Sequence, residues 1–193
     1  MAELTLDQLI ENIQSKNDAV RAAARDGAGS LGAAALRPLA KIAADTDPET
    51  ARSAQRAMQR IVYHAGRPGA EDEAQAVASE LVRLLDASLP VQLQRDVLWM
   101  TWQIAGEEAV DAVAIRLGDQ QLWDDARMAL ERLPGQGATA ALQTALASAP
   151  DDQKPALAYS LRKRGVETPG VPDLRLTPTR KTSVTPVGRR AGA

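Results

Sequence analysis

The chain contains no cysteine, which excludes disulfides, thiolate zinc sites, iron–sulfur clusters and cysteine nucleophiles. Phenylalanine is also absent, and aromatic residues make up only 3% of the 193 residues. His64 is the only histidine, so we expect neither a transition-metal site nor a bound cofactor. The scarcity of bulky side chains, set against abundant alanine, favours thin and closely spaced helices over a thick mixed core.

Long apolar runs are missing as well. No window approaches the roughly 18 consecutive apolar residues of a membrane span. The opening MetAlaGluLeuThrLeuAsp lacks the basic segment that begins a secretory signal. Hydrophobic residues make up 45% of the chain and charged residues 25%, which is typical of soluble globular proteins. We therefore expect a cytoplasmic protein with no membrane partner.

The small net charge of −2 hides an uneven distribution. From Val166 onward there are five Arg or Lys residues against two acids, so this end carries +3 and the remainder about −5. A surface that binds nucleic acid or an anionic membrane normally needs a clear excess of basic residues. The acidic body therefore makes nucleic acid an unlikely partner.

What the chain does contain is repetition. Glycines at spacings of 34, 40, 29 and 30 residues each follow an Ala- and Leu-rich stretch with helical period: Gly32, Gly66, Gly106, Gly135 and Gly165. Self-similarity at such a period is typical of arrays whose units bury their apolar faces against neighbours. We predict that each glycine closes the second helix of a hairpin, and that Gly32 supplies a left-handed helix end.

The apolar spacing within each unit predicts an all-α fold. The first stripe, for example, has the i, i+3, i+4, i+7 pattern at Leu6, Leu9, Ile10 and Ile13. We predict an α-solenoid domain over residues 1–165 with ten helices in about five antiparallel pairs. The predicted units are about 4–32, 33–66, 67–106, 107–135 and 136–165. Residues 166–193 are rich in Pro, Thr and Arg without helical period, which predicts an extended, mostly unstructured tail.

Three segments carry a family resemblance: ValArgAlaAlaAla at 20–24, ThrAlaArgSerAla at 50–54 and AspAlaArgMetAla at 125–129. Each follows an acidic or Asn/Pro turn, and together they resemble the start of the second helix in HEAT-like repeats. The similarity extends from Leu4 to Gly165 and is to the short bacterial kind of about 30 residues, also found in phycobilin lyase subunits. The resemblance implies that second helices line a concave surface.

No set of residues points to catalysis, which needs ionisable groups gathered in a dry pocket. The acidic clusters fall where helices begin, so capping explains them: Glu71 to Glu73, Asp124–Asp125 and Asp151–Asp152. His64 lies in a last helical turn, where a partly positive imidazole complements the helix dipole; a role in proton transfer or ligand binding is the alternative. We expect a protein that is not an enzyme.

The informative polar feature is a stripe of arginines. Arg52, Arg56 and Arg60 are spaced i, i+4, i+8 and share one helix face. Aligning the units on Arg21, Arg52, Arg95 and Arg127 brings Arg25, Arg56, Trp99 and Glu131 to one equivalent position. Arg and Trp together are favoured at protein-binding hot spots. The predicted partner-binding residues are therefore Arg25, Arg56, Arg60, Arg95 and Trp99.

An alternative interpretation stays open for this stripe, in which the arginines pair with Asp26, Glu49 and Asp96 on a solvated face. Trp102 aligns with a core position, Ala28, and is expected to pack inside.

Three functions are considered for the chain. The first is a non-enzymatic scaffold that binds a protein or peptide on the concave face. The second, implied by the resemblance, is a bilin lyase or chaperone-like subunit that handles a tetrapyrrole. The third places nucleic acid on the arginine stripe, as in HEAT-like DNA glycosylases. The chain's own tail is a further possible ligand of the acidic body through its apolar and basic residues: Leu174, Arg175, Leu176, Val184 and Val187.

Overall fold

A computed structural model describes residues 4–44, 47–86 and 88–173. Within these ranges the chain forms ten α-helices and no β-strand. The helices are α1 (Leu6–Ile13), α2 (Asp18–Gly27), α3 (Leu36–Ala43), α4 (Pro48–Ala65), α5 (Glu71–Leu85), α6 (Val91–Ile104), α7 (Val110–Ile115), α8 (Trp123–Arg132), α9 (Gly135–Ser148) and α10 (Lys154–Lys163). Short 3₁₀ segments cover Ala28–Ala35, Glu107–Ala109 and Arg116–Gly118.

Consecutive helices form pairs, and the pairs are stacked in a row. The pairs are α1 with α2, α3 with α4, α5 with α6, α7 with α8 and α9 with α10. The second helices α2, α4, α6, α8 and α10 each contact the next in order, and the first helices from α3 to α9 do the same. Each pair thus packs against its neighbours in two layers, which confirms the predicted all-α solenoid.

The core is built from small and aliphatic side chains, as the composition indicated. Along α4, Ala54, Ala57, Met58 and Ile61 are fully buried at the i, i+3, i+4, i+7 spacing of one helix face. Full burial of a side chain as large as that of Met58 or Ile61 contributes about 1.5–3 kcal/mol, and burial of an alanine methyl contributes less. The buried residues form one continuous cluster from the first pair to the last, so the units share a single core.

Polar side chains fix where the early helices begin. The Thr5 hydroxyl accepts a hydrogen bond from the Gln8 backbone N–H, and the Thr5 backbone N–H donates to the Gln8 side-chain oxygen. Asn17 caps α2 through the Ala19 amide at 2.9 Å. These caps satisfy amide groups that the first helical turn leaves without partners.

The glycines that marked the repeats follow the prediction only in part: Gly66, Gly106 and Gly165 do follow the ends of α4, α6 and α10, but the other two do not. The helix expected to close at Gly32 ends at Gly27, and a 3₁₀ segment follows in which Gly32 has φ 60° and ψ −153°. This φ is positive, but the ψ is extended and not that of a left-handed helix end. Gly66 follows α4 with φ −77°, which any residue can adopt. The predicted left-handed end at Gly32 is therefore wrong.

Of the later glycines, some end a helix as predicted and one does not. Gly106 follows α6 with φ −97°, and Gly135 opens α9 with φ 83° where the prediction had a closing residue. Gly165, with φ 79°, does end a helix, because the Val166 amide bonds back to the Leu161 carbonyl at 2.9 Å. Glycine spacing located the units without fixing the conformation at each junction.

The predicted tail starts with a segment that contacts the solenoid. Arg162 donates to the Thr168 hydroxyl at 2.6 Å and to the Val171 carbonyl at 3.3 Å, so residues 166–173 lie against α10 without forming a helix. Residues 174–193, and with them the predicted docking of the tail, lie outside the described part of the chain.

The described ranges contain neither a membrane-spanning helix nor a cluster of potential metal ligands. No helix there has the length and apolarity needed to cross a bilayer. No group of three or more His, Asp or Glu residues in those same ranges is placed to hold a metal ion.

Candidate partner-binding surface

Exposed apolar side chains are concentrated on the second helices. Among the described residues, five large apolar side chains are exposed: Tyr63 (54%), Trp99 (41%), Ile115 (67%), Met128 (37%) and Tyr159 (46%). Four of the five lie on α4, α6, α8 and α10, and only Ile115 lies on a first helix. We call the exposed side of these four helices, together with α2, the second-helix face.

The period of α4 explains how its part of this face arises. Because one side of the helix is buried, the positions between the buried ones point to solvent at spacings of three and four residues. These exposed positions are Glu49, Arg52, Arg56, Arg60 and Tyr63. The predicted arginine stripe is therefore an exposed stripe that ends in a tyrosine.

At one end of the face, Asp26 joins two helices. Its carboxylate lies 3.3 Å from Arg25 Nε on α2 and 3.3 Å from Arg60 Nη2 on α4. The hydrogen bond from Arg25, helped by the charge of Arg60, lowers the pKa of Asp26 below its ordinary value. One carboxylate thus balances two guanidinium groups.

The other arginines of α4 differ in their pairing. Arg52 pairs with Glu49 at 3.0 Å. Arg56 is exposed and makes no hydrogen bond or ion pair with any described residue. We call Arg25, Arg52, Arg56 and Arg60 the arginine patch. With Asp26 and Glu49 counted, the patch has a net charge of +2.

A groove lies between α6 and α8. Its volume is about 110 Å³, and its lining residues are Arg95, Trp99, Trp102, Asp125, Met128 and Arg132. The rings of Trp99 and Trp102 meet edge to face, with centroids 6.2 Å apart and planes at 87°. The Arg132 guanidinium lies 5.1 Å from the centre of the Trp102 ring, a cation–π contact. We call this site the tryptophan groove.

Arg95 forms one wall of the tryptophan groove. Its Nη2 donates to the Gln121 carbonyl at 2.9 Å, which ties α6 to the turn before α8. Its Nε lies 3.3 Å from an Asp125 carboxylate oxygen, but the geometry is not that of a hydrogen bond, so this buried N–H has no acceptor. The pair is an ion pair held by charge alone.

Asp96 was one of the acids considered as a partner for the arginines. The structure pairs Arg95 with Asp125 instead, and the contact of Asp96 is a long hydrogen bond of 3.5 Å from Gln92. Burial raises the pKa of Asp96, and the neighbouring charge of Asp125 adds to this effect. The alternative interpretation is therefore confirmed at Asp26 and Glu49 and wrong at Asp96.

The structure arranges the five predicted binding residues as two groups and one separate side chain. Arg25 and Arg60 meet at Asp26, while Arg95 and Trp99 line the tryptophan groove. Arg56 is exposed on α4. No hydrogen bond or ion pair joins the two groups within the described ranges.

Four residues of the face were not predicted from the sequence: Tyr63, Met128, Arg132 and Tyr159. Helical spacing could have indicated two of them. Tyr63 lies three residues after Arg60 and Arg132 lies four after Met128, and residues at these spacings share one helix face. Trp102 packs against the core as the alignment predicted.

A second cleft of about 340 Å³ lies at the other edge of the stack, between the turns that precede α8 and α10. Its walls are largely apolar, including Leu117, Trp123 and Leu157, and Asp119 is the one titratable residue among those lining it.

Comparison with known proteins gives similarity only to solved structures. No sequence profile of a known family matches the chain. No curated protein matches it.

A designed armadillo repeat protein, YIII(Dq.V1)4CPAF in complex with peptide (KR)4, is 16% identical over 86% of this chain and 84% of its own length, with a TM-score of 0.45. An engineered protein of the Northeast Structural Genomics Consortium is 17% identical over 82% and 78%, with a TM-score of 0.43. The designed armadillo repeat protein YIII(Dq)4CqI is 18% identical over 80% of each chain, with a TM-score of 0.42. The assignment of this chain as a helical-repeat solenoid therefore rests on its own helix packing.

Proposed function

We propose that the chain is a non-enzymatic scaffold whose second-helix face binds a partner protein or peptide. The observation that supports this proposal is the placement of Tyr63, Trp99, Met128 and Tyr159 on consecutive second helices. Isolated exposed apolar residues are normal on any protein, but a row of them along one face is typical of interaction sites. Through the HEAT-like resemblance, this face is taken as the concave one.

The chemistry around these anchors also suits binding. A cation accompanies each aromatic ring: Arg60 lies one turn from Tyr63, Arg95 lies beside Trp99, and Lys163 Nζ lies 5.5 Å from the Tyr159 ring centre. Trp, Tyr and Arg dominate binding hot spots because they offer large contact areas. A partner with apolar side chains and carboxylates would complement both features.

The two alternative functions receive less support from these observations. The tryptophan groove, at about 110 Å³, is smaller than typical small-molecule pockets of about 300–1,000 Å³, so this part of the second-helix face does not suit a tetrapyrrole. The cleft of about 340 Å³ is at the lower end of that range, and no Arg or Lys among the described residues lines it to pair with an acidic ligand. Nucleic acid would need a continuous basic stripe, whereas Asp96 and Asp125 interrupt the arginines at α6 and α8. The cytoplasmic location remains a prediction from the sequence.

The proposal can be tested with a randomised linear peptide library displayed on phage. Peptides enriched on the wild-type protein are measured by fluorescence anisotropy against the wild type and two variants. Trp99→Ala removes a central anchor, and we expect it to weaken binding about tenfold or more. Ile115→Ala removes an even more exposed apolar side chain from the other layer, so it is the matched control and should bind as the wild type does.

The proposal fails if no peptide is enriched. It also fails if the enriched peptides bind the wild type, the Trp99→Ala variant and a Tyr63→Ala/Tyr159→Ala double variant equally well. Circular dichroism of each variant checks that the helical fold is retained, so that lost binding is not lost structure.

A further inference from the structure

We infer that the bound partner segment is an acidic peptide, with carboxylates over the arginine patch and one apolar side chain in the tryptophan groove. This inference rests on the proposed function and adds the chemistry and placement of the partner. In this arrangement the peptide contacts both the arginine patch and the tryptophan groove.

The charge of the arginine patch is the first argument. Arg25 and Arg60 share one carboxylate, and Arg56 has no partner among the described residues. The patch therefore keeps unneutralised guanidinium groups, which bind carboxylates through paired and charge-assisted hydrogen bonds. Surface arginines that are fully paired with acidic side chains would have no guanidinium group available for a peptide carboxylate.

The part of the chain up to Asp173 is acidic as a whole, which is the second reason for an acidic peptide at the patch. Residues 1–173 carry 18 Arg or Lys and 25 Asp or Glu, a net charge of −7. An acidic peptide is repelled by most of such a surface and attracted at the arginine patch. We expect this difference in charge to determine where the peptide binds more than how tightly it binds, as charge complementarity does at other interfaces.

Distance permits one short segment to reach both features. Helix α4 packs against α6, and α6 packs against α8. Packed helices lie about 8–10 Å apart, so the patch on α4 is about 12–15 Å from the groove between α6 and α8. An extended chain advances about 3.3 Å per residue, so about four or five residues separate the carboxylates from the apolar anchor.

The groove itself favours a peptide over a polyanion such as nucleic acid. Trp99, Trp102 and Met128 give the groove an apolar lining, and the Asp125 carboxylate also lines it. A phosphate chain that follows the face from α4 would meet this carboxylate and Asp96. An apolar side chain, in contrast, can pack against the rings and Met128 that line the groove. Nucleic acid is therefore the competing outcome in the test.

The test uses defined synthetic peptides labelled with fluorescein. The first has four consecutive glutamates, a five-residue Gly/Ser spacer and a phenylalanine; its two counterparts carry four glutamines or four lysines. A single-stranded thymidine oligonucleotide is the nucleic-acid arm. At about 50 mM salt, where screening is weak, we expect the glutamate peptide to bind about tenfold tighter than the glutamine peptide, and the lysine peptide and oligonucleotide to bind more weakly still.

Protein variants assign the contacts. Arg56→Ala should weaken binding of the glutamate peptide about three- to tenfold and leave binding of the glutamine peptide unchanged. Trp99→Ala should weaken both peptides. Arg83→Ala removes an exposed arginine from α5 on the other layer, so it changes the net charge equally and should have no effect.

Equal binding of the glutamate and glutamine peptides overturns the inference, as does an Arg56→Ala variant that binds like the wild type. Tighter binding of the oligonucleotide overturns it in favour of nucleic acid. None of these results affects the library test above, in which loss of binding on Trp99→Ala supports the scaffold whatever the charge of the enriched peptides. Failure of the inference and failure of the proposed function are thus separate results.

Discussion

The guanidinium of Arg127 and the hydroxyl of Ser160 lie 2.5 Å apart across the interface between α8 and α10. Arg127 also donates to Asp124 at 2.7 Å, and Ser160 donates to Glu131 at 2.8 Å. Arg127 and Ser160 are both buried. The last two units are therefore joined by a polar network in addition to apolar packing.

Replacing Arg127 with alanine should destabilise the protein strongly. The change leaves the half-buried Glu131 carboxylate and the Ser160 hydroxyl without their cation, and breaking a buried pair in this way costs about 3 kcal/mol. The measurement is the free energy of unfolding from urea titration followed by circular dichroism. Arg127→Lys keeps the charge and should recover part of the loss. A loss below about 0.5 kcal/mol would mean that the network behaves like an exposed ion pair.

The sequence predicted the position of Arg127 but not its environment. Alignment of the units made Arg52 and Arg127 equivalent, yet Arg52 is exposed and Arg127 is buried. Helical periodicity reports which side of a helix faces the core. It does not report what the next unit places opposite a polar residue, and here α10 provides the small Ser160. The fold followed from local pattern, whereas this contact depends on a residue 33 positions away.

Gly29 is predicted to be sensitive to the smallest substitution. A Cβ atom built at this position would lie 2.9 Å from the His64 Cβ, which belongs to the rigid part of that side chain near the backbone. Gly29→Ala should therefore shift the segment against α4 and cost about 1–3 kcal/mol of unfolding free energy.

The matched control is Gly118→Ala, because an added Cβ there meets no atom within 4 Å. Thermal unfolding of the two variants separates the effects. A Gly29→Ala protein as stable as Gly118→Ala would show that the contact with His64 relaxes without cost. Truncating His64 to alanine should not rescue Gly29→Ala, since the Cβ that causes the clash remains.

Asp96 gives the protein a pH dependence with a definite sign. Burial and the charge of Asp125 raise its pKa in the folded state. The folded protein therefore binds more protons than the unfolded chain above the unfolded pKa of about 3.9. Stability from this group is present below that value and is lost as the pH rises through the folded-state pKa.

Asp96→Asn should remove this loss. We expect the variant to be more stable than the wild type at neutral pH, with the difference shrinking as the solution is acidified. Urea titrations across the acidic range measure it. Asp152→Asn removes an exposed carboxylate before α10 and is the control for the change in net charge. A constant difference between Asp96→Asn and the wild type at every pH would contradict the assignment to titration.

The candidate site was predictable only in part, for a physical reason. A stripe of arginines and one tryptophan could be placed on a common face by counting helical turns. The tryptophan groove could not, because its two walls come from α6 and α8, and Met128 resembles a core residue in sequence. Exposure of an apolar side chain depends on whether a neighbouring helix covers it.

Trp99 and Trp102 lie three residues apart on α6, and their substitution by alanine should have very different effects on the free energy of unfolding. Trp102 packs against the core and lies under the Arg132 guanidinium, so Trp102→Ala should cost about 3–5 kcal/mol of unfolding free energy. Trp99 is 41% exposed, so Trp99→Ala should cost less than about 1 kcal/mol. Urea titration of both variants measures this contrast. If Trp99→Ala proved as destabilising as Trp102→Ala, its indole would serve the core and could not be credited as a free anchor for a partner.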